Sequence, residues 1–170
     1  ATSNIALSAS SVAENTATAS ALNIGNLSST DPDTGNTFTY SVVGGADQAS
    51  FQVSGAALQF KPGTTLDYEA KSSYAVTVRS TDQGGQTFDK AFTVTLTNVN
   101  DKPELTTTSQ SVTLATPTAL SGISVSDQDA GTNTIDLSLS VTAGVLTASS
   151  GSGVTVTGSG SATVSLAGSQ

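Results

Sequence analysis

Oxygen-bearing side chains recur in pairs along this 170-residue chain, two residues apart: Asp31/Asp33, Asp67/Glu69, Asn98/Asn100 and Asp127/Asp129. Asp82 stands likewise two residues before Gly84. In extended backbone, side chains at i and i+2 point the same way, so each pair can offer two oxygens to one point. Of the 13 acidic residues, nine belong to these motifs or are Glu14 and Asp101. Crowded like charges cost stability unless a cation neutralises them. Carboxylate and amide oxygens suit a hard cation, and Ca²⁺ takes six to eight of them in adaptable geometry. Calcium is therefore the expected cofactor. Asp47, Asp89, Glu104 and Asp136 read as surface charges.

Composition narrows the alternatives. The 13 acids against 5 basic residues give a net charge of −8, which disfavours nucleic acid and anionic membrane surfaces as partners. Without Cys there are no disulfides, thiolate nucleophiles or zinc–thiolate sites. Without His the usual general base and the commonest transition-metal ligand are missing; two carboxylates can do acid–base work, but every acid pair reads better as ligands, so no enzymatic activity is expected. No apolar run approaches the roughly 20 residues needed to span a bilayer. The chain opens on Ala1-Thr2-Ser3-Asn4, which is no signal peptide, and reads as a piece of a longer protein.

The elements that must position these oxygens are strands. Ile5, Leu7 and Val12 mark a first, broken strand that Glu14-Asn15-Thr16 ends, and Leu22, Ile24 and Leu27 a second, with a bend or bulge at Gly25-Asn26. Phe38, Tyr40 and Val42 alternate, as do Phe51 with Val53, Leu58 with Phe60, then Tyr74, Val76 and Val78, and finally Phe92, Val94 and Leu96. Leu66-Asp67-Tyr68-Glu69 reads as a short polar loop or helical turn. About seven strands in roughly 100 residues, with no helical period, predict an all-β sandwich. The aromatics on these strands, Phe38, Tyr40, Phe51, Phe60, Tyr74, Phe88 and Phe92, are expected in the core; Tyr68, opposite Asp67 and Glu69, is expected to pack against the linker, the alternative being an exposed ring.

The pattern then repeats. Ser126-Asp127-Gln128-Asp129-Ala130-Gly131 lies 96 residues after Thr30-Asp31-Pro32-Asp33-Thr34-Gly35, and Ile135, Leu137 and Leu139 follow as Phe38, Tyr40 and Val42 do. Tandem modules are implied, one over 1–101 and a second over 102–170. The second is either cut short or a shorter sandwich of another type; truncation is favoured. Asn98-Val99-Asn100-Asp101-Lys102-Pro103 closes the last strand of the first module and forms the hinge.

Glu14-Asn15, Asp31-x-Asp33, Leu66-Asp67-Tyr68-Glu69, Asp82-x-Gly84 and Asn98-x-Asn100-Asp101-x-Pro103 together resemble the motif set of cadherin repeats, in the family's order. The Ser/Thr/Ala-rich, Cys-free style is similar to the cadherin-like repeats of bacterial surface adhesins and large secreted multi-repeat proteins. The resemblance implies an Ig-like, cadherin-type, seven-stranded Greek-key β-sandwich. It also implies a junction site formed by Glu14, Asp67, Glu69, Asn98, the Val99 carbonyl, Asn100, Asp101, Asp127 and Asp129. Asp31, Asp33 and Asp82 would form half a site toward a preceding domain. Asn98 stands where family linkers carry Asp, Gln110 stands 96 residues after Glu14, and no Asp follows Asp136, so one or two ions are expected. The implied function is an extracellular or cell-surface structural and adhesive repeat whose joint calcium stiffens. Its expected partners are neighbouring repeats and a cell-surface protein or polysaccharide. The alternative is a carbohydrate-binding module.

Overall fold

The computed structural model describes residues 2–32, 35–112 and 116–169. Contacts within the chain divide it into two units, Ala1–Val99 and Asn100–Gln170.

The first unit is an Ig-like sandwich of two four-stranded sheets. One holds β1 (Asn4–Leu7), β3 (Leu22–Thr30), β5 (Phe51–Ser54) and β6 (Ala57–Phe60) in the order β1-β3-β6-β5. The other holds β2 (Ser11–Ala13), β4 (Phe38–Gly44), β7 (Ser73–Asp82) and β8 (Thr87–Thr97) in the order β2-β8-β7-β4. All pairings are antiparallel except β2 with β8. Gln48–Ser50 is one turn of 3-10 helix.

The broken first strand serves both sheets. Its first half, β1, pairs with β3, and its second half, β2, with β8. The crossing at 8–10 lies tightly over β3. Ser8 Oγ accepts the Asn26 N–H at 2.8 Å, and the Ser8 N–H donates to the Asn26 carbonyl at 2.9 Å. The register shifts between Asn23 and Gly25, and a Cβ on Gly25 would stand 2.7 Å from the Ala9 carbonyl oxygen. A bulge with no side chain is what lets the strand change sheets.

Alternation along the strands sends Ile5, Ile24, Leu27, Phe51, Leu58, Phe60, Tyr74, Val76, Val78, Val94 and Leu96 inward. Phe51 stacks on Phe60 at 4.8 Å between ring centres, and Tyr74 meets Phe60 edge-on at 5.1 Å. Tyr40, Phe88 and Phe92 pack against this core only partly buried, and Phe38 is half-buried at the start of β4. Leu66 reaches the core from the loop before β7, anchoring that loop.

The second unit is also all-β and more sparsely packed. A pair of short strands, β9 (Glu104–Thr106) and β10 (Ser124–Ser126), accompanies a three-stranded sheet. That sheet holds β11 (Thr134–Ser140), β12 (Val154–Thr157) and β13 (Thr163–Ser169) in the order β11-β13-β12. The register aligns Ile135, Leu137, Leu139, Val154, Val156, Val164 and Leu166 on one face. Of these only Val164 is fully buried, while Leu105, Val112, Leu120 and Val145 are exposed. In the first unit β7 lies between β4 and β8; here β13 lies between β11 and β12.

Phe60 is fully buried between two rings. Phe60→Ala should lower unfolding free energy by about 3–5 kcal/mol through lost transfer energy plus the cavity left behind. Urea unfolding of the whole chain in chelator measures it; a loss near zero would mean that the stacked rings are not the core's keystone.

Candidate metal centre

Strand polarity sorts the motif residues of the first unit to its two ends. At one end β2 and β8 finish at Ala13 and Thr97, in register, and β7 begins at Ser73 opposite Thr95. Glu14, the Asp67–Glu69 loop and Asn98 therefore converge there. At the other end β3 stops at Thr30, and β4 starts at Phe38 opposite Asp82, so Asp31 and Asp82 flank that pole. Asp33 lies outside the described residues.

The converging end forms a carboxylate cluster. Oxygens of Glu14, Asp67 and Glu69 all lie within 4.8 Å of one another. Glu14 is 2% exposed, and it is fixed by the backbone: Oε2 accepts the Tyr68 N–H at 2.6 Å and Oε1 the Val99 N–H at 2.7 Å. The Asn98 amide donates to Glu69 Oε1 at 2.5 Å. Asp67 Oδ1 caps the turn after it by accepting the Ala70 N–H at 2.8 Å. The loop is pinned upstream as well. Thr18 Oγ1 donates to the Thr64 carbonyl at 2.8 Å, the Tyr74 hydroxyl to the Thr65 carbonyl at 3.0 Å, and the Asn15 N–H to the Leu66 carbonyl at 3.0 Å.

Three of the basic side chains are engaged elsewhere. Lys71, two residues past Glu69, turns instead to Asp47 Oδ1 at 2.5 Å. Arg79 is held by Asp89 through two hydrogen bonds, and Lys90 by the Asn4 side chain and the Ile5 carbonyl. Two like charges at 4 Å repel by roughly 4 kcal/mol at an effective dielectric of 20, less where water screens exposed Glu69. Ca²⁺–oxygen distances of roughly 2.3–2.6 Å let ligand oxygens stand up to about 5 Å apart across one ion. The spacing and chemistry of Glu14, Asp67 and Glu69 fit that ion.

In the second unit Asp127 and Asp129 sit in a tight turn. Asp127 Oδ1 accepts the Asp129 N–H at 3.0 Å, and Gly131 completes the turn at φ +53°. Asp129 in turn accepts the Asp101 N–H. Asp127 and Asp129, with Asn100, Asn133 and Asp136, line a cleft of about 280 Å³. Asp136, read from the sequence as a surface charge, is exposed and also borders this cleft. Asn133 escaped notice, although its place six residues after Asp127 continues the spacing of oxygens. At the far pole of the first unit Asp82 Oδ1 accepts the Gly84 and Gln86 N–H groups, both at 2.9 Å, shaping the β7–β8 turn. Near it in the fold, the Thr2 hydroxyl is buried with no hydrogen-bond partner among the described residues.

The first unit is thus an Ig-like sandwich whose first strand serves both sheets, with a buried glutamate and an Asp-x-Glu loop at its exit end. The cadherin domain model matches residues 9–99, just over half of the chain, which therefore belongs to the cadherin domain family. Cadherin-related family member 2 of Mus musculus is 34% identical over 84 residues, 48% of this chain and 6% of that protein. Extracellular cadherin domains 1–5 of Protocadherin Gamma B2 share the fold at a TM-score of 0.52 and 22% identity, covering 98% of this chain and 32% of that one. Domains 3–6 of the same protein do so at 0.51 and 20%, covering 98% and 39%. The chain thus spans a small part of the relatives it matches. Among the described residues, no helix is long and apolar enough to cross a membrane.

The Lys71–Asp47 pair gives the neighbourhood a pH signature. The Lys71 hydrogen bond, then the Ala75 N–H, hold the Asp47 carboxyl below its usual range. A depressed folded-state pKa adds stability that is complete above the unfolded value near 3.8 and disappears as pH falls through the lowered one. Asp47→Asn should therefore cost about 1 kcal/mol or less at pH 7, because water screens the half-exposed Lys71, and nothing at pH 2. Unfolding curves at the two pH values check the sign.

Proposed function

We propose that this chain is a calcium-binding structural and adhesive repeat of an extracellular bacterial protein, in which the ion stiffens the joint between consecutive modules. The observation that carries the reading is the buried Glu14 carboxylate, grouped with Asp67 and Glu69 within 4.8 Å. Bound calcium would bridge the three converging carboxylates. Glu14, Asp67 and Glu69 hold it from the first unit, with Asn98 turning its amide oxygen inward. The chain runs without interruption from Val99, whose N–H Glu14 fixes, into Asn100 and Asp101, so the linker is placed to add its own oxygens. Asp127 and Asp129 complete the shell from the second unit. Asp31, Asp33 and Asp82 serve a preceding module in the same way. The surface or secreted bacterial setting follows from the likeness to cadherin-like repeats of bacterial adhesins, and the Cys-free composition is compatible with it. Neighbouring repeats of the same chain are the primary partners.

A second reading, a polysaccharide-binding module, draws on one feature. A cleft of about 540 Å³ between β4 and β5 is lined by Tyr40, Ser41, Gln48, Gln52 and Lys61, an aromatic ring among hydrogen-bonding groups.

Calcium titration by calorimetry, with thermal unfolding in calcium and in chelator, tests the first reading. Extracellular modules bind with dissociation constants of roughly 10⁻⁴–10⁻³ M. At a hundredfold excess over such a constant the gain is about 2.7 kcal/mol, a rise in melting temperature on the order of 10 °C. Glu69→Gln should have opposite effects in the two conditions: a higher melting temperature in chelator, where a repelling charge is gone, and a lower one in calcium. Absence of binding heat and of any calcium-dependent shift would remove the joint from consideration and leave glycan arrays as the next assay.

A further inference from the structure

Among the described residues, Asn15 is the one non-glycine residue with positive φ, at +55°. It follows Glu14 directly, and its side chain is exposed. Only small polar residues and glycine visit this left-handed region readily, because a Cβ otherwise crowds the neighbouring carbonyl. The conformation has a specific effect here. It reverses the chain just past β2, where the Glu14 N–H donates to the Thr97 carbonyl at 3.1 Å and the Asn15 N–H to the Leu66 carbonyl at 3.0 Å. Thr16 Oγ1 closes the same turn onto the Ala13 carbonyl at 2.6 Å. One residue is thus tied to β8 and the next to the metal loop, and the carboxylate between them falls onto the Tyr68 and Val99 amides.

We infer that Asn15 is a positioning residue for the metal centre: its left-handed backbone, rather than its side-chain oxygen, seats Glu14 between the Asp67–Glu69 loop and the start of the linker before any ion arrives. An extended residue at 15 could not keep the Leu66 bond while leaving Glu14 on those two amides. The seat is built wholly from the first unit's own hydrogen bonds, so it exists without metal. Its value for calcium binding rests on the reading above; its existence does not.

The test compares the whole chain with Asn15→Gly and Asn15→Ala. Hydrogen exchange in chelator follows the Tyr68 and Val99 amides, which Glu14 protects, against core amides such as Val78. Calcium calorimetry follows affinity. Glycine accepts the conformation and alanine resists it. The alanine variant should lose about tenfold in protection at Tyr68 and Val99 with Val78 unchanged, and bind calcium several-fold more weakly. The glycine variant should stay within about threefold of the parent in both measurements. Equal protection in the alanine variant would overturn the inference, as would a loss spread evenly to Val78, which marks general destabilisation. So would a glycine variant as weak for calcium as the alanine one, which would make the Asn15 side chain a direct ligand. If even the parent chain takes up no calcium, the metal reading fails by itself, and the exchange data still decide whether Asn15 seats Glu14.

Discussion

The structure of the first unit turns on one buried carboxylate. Glu14 is held by two backbone N–H groups, one from the Asp67–Glu69 loop and one from Val99. A buried carboxylate with such donors is tolerable, since charge-assisted hydrogen bonds are the strong ones, yet two further carboxylates stand within 4.8 Å. The arrangement gathers three carboxylates at one point and fixes the most buried of them on backbone donors.

Much of the sandwich exists to keep that carboxylate where it is. Splitting the first strand lets β2 run parallel to β8 and end beside it, so Glu14 and Asn98 leave the sheet together. The change of sheet needs the bulge and bare backbone at Gly25. Gly45, at φ +100°, performs a similar service across the sheet, since a Cβ there would lie 2.5 Å from the Ala75 carbonyl oxygen. Leu66 ties the metal loop to the core from below, and Thr18 and Tyr74 tie it from the side. Core packing and site geometry are one construction.

The sequence revealed these features unevenly, for physical reasons. Period-two alternation exposes strands directly, so the broken first strand, the bulge near Gly25 and the all-β fold were legible. Glu14, Asp67 and Glu69 were legible as candidate ligands because side-chain type carries their chemistry, and the fold brings their oxygens together. The partners that fix them were not: the Tyr68 and Val99 contributions are backbone N–H groups, which every non-proline residue owns. Asn15 showed as a strand end, but its left-handed backbone leaves no mark beyond being an Asn. Aromatic alternation located Phe51, Phe60 and Tyr74 correctly, and overestimated the burial of Phe38, which lies at a strand end. The second unit was harder still. Its repeated Asp-x-Asp and alternating strands were visible, but which strand lies beside β13 depends on pairings between distant segments that no local pattern encodes.

The parallel pairing of β2 with β8 has a mechanical meaning. The first unit's chain enters at the Asp31/Asp82 pole and leaves at the Glu14/Asn98 pole, so tension along an array of such modules would pull β2 and β8 in opposite directions along their lengths. Their ladder, through Ser11–Thr95, Val12–Leu96 and Ala13–Thr97, would then be sheared as a set, with no single end from which to unzip. Glu14 lies at the end of that ladder and grips Val99 just beyond it. The residue at the centre of the carboxylate cluster also sits where a stretched chain would first have to give.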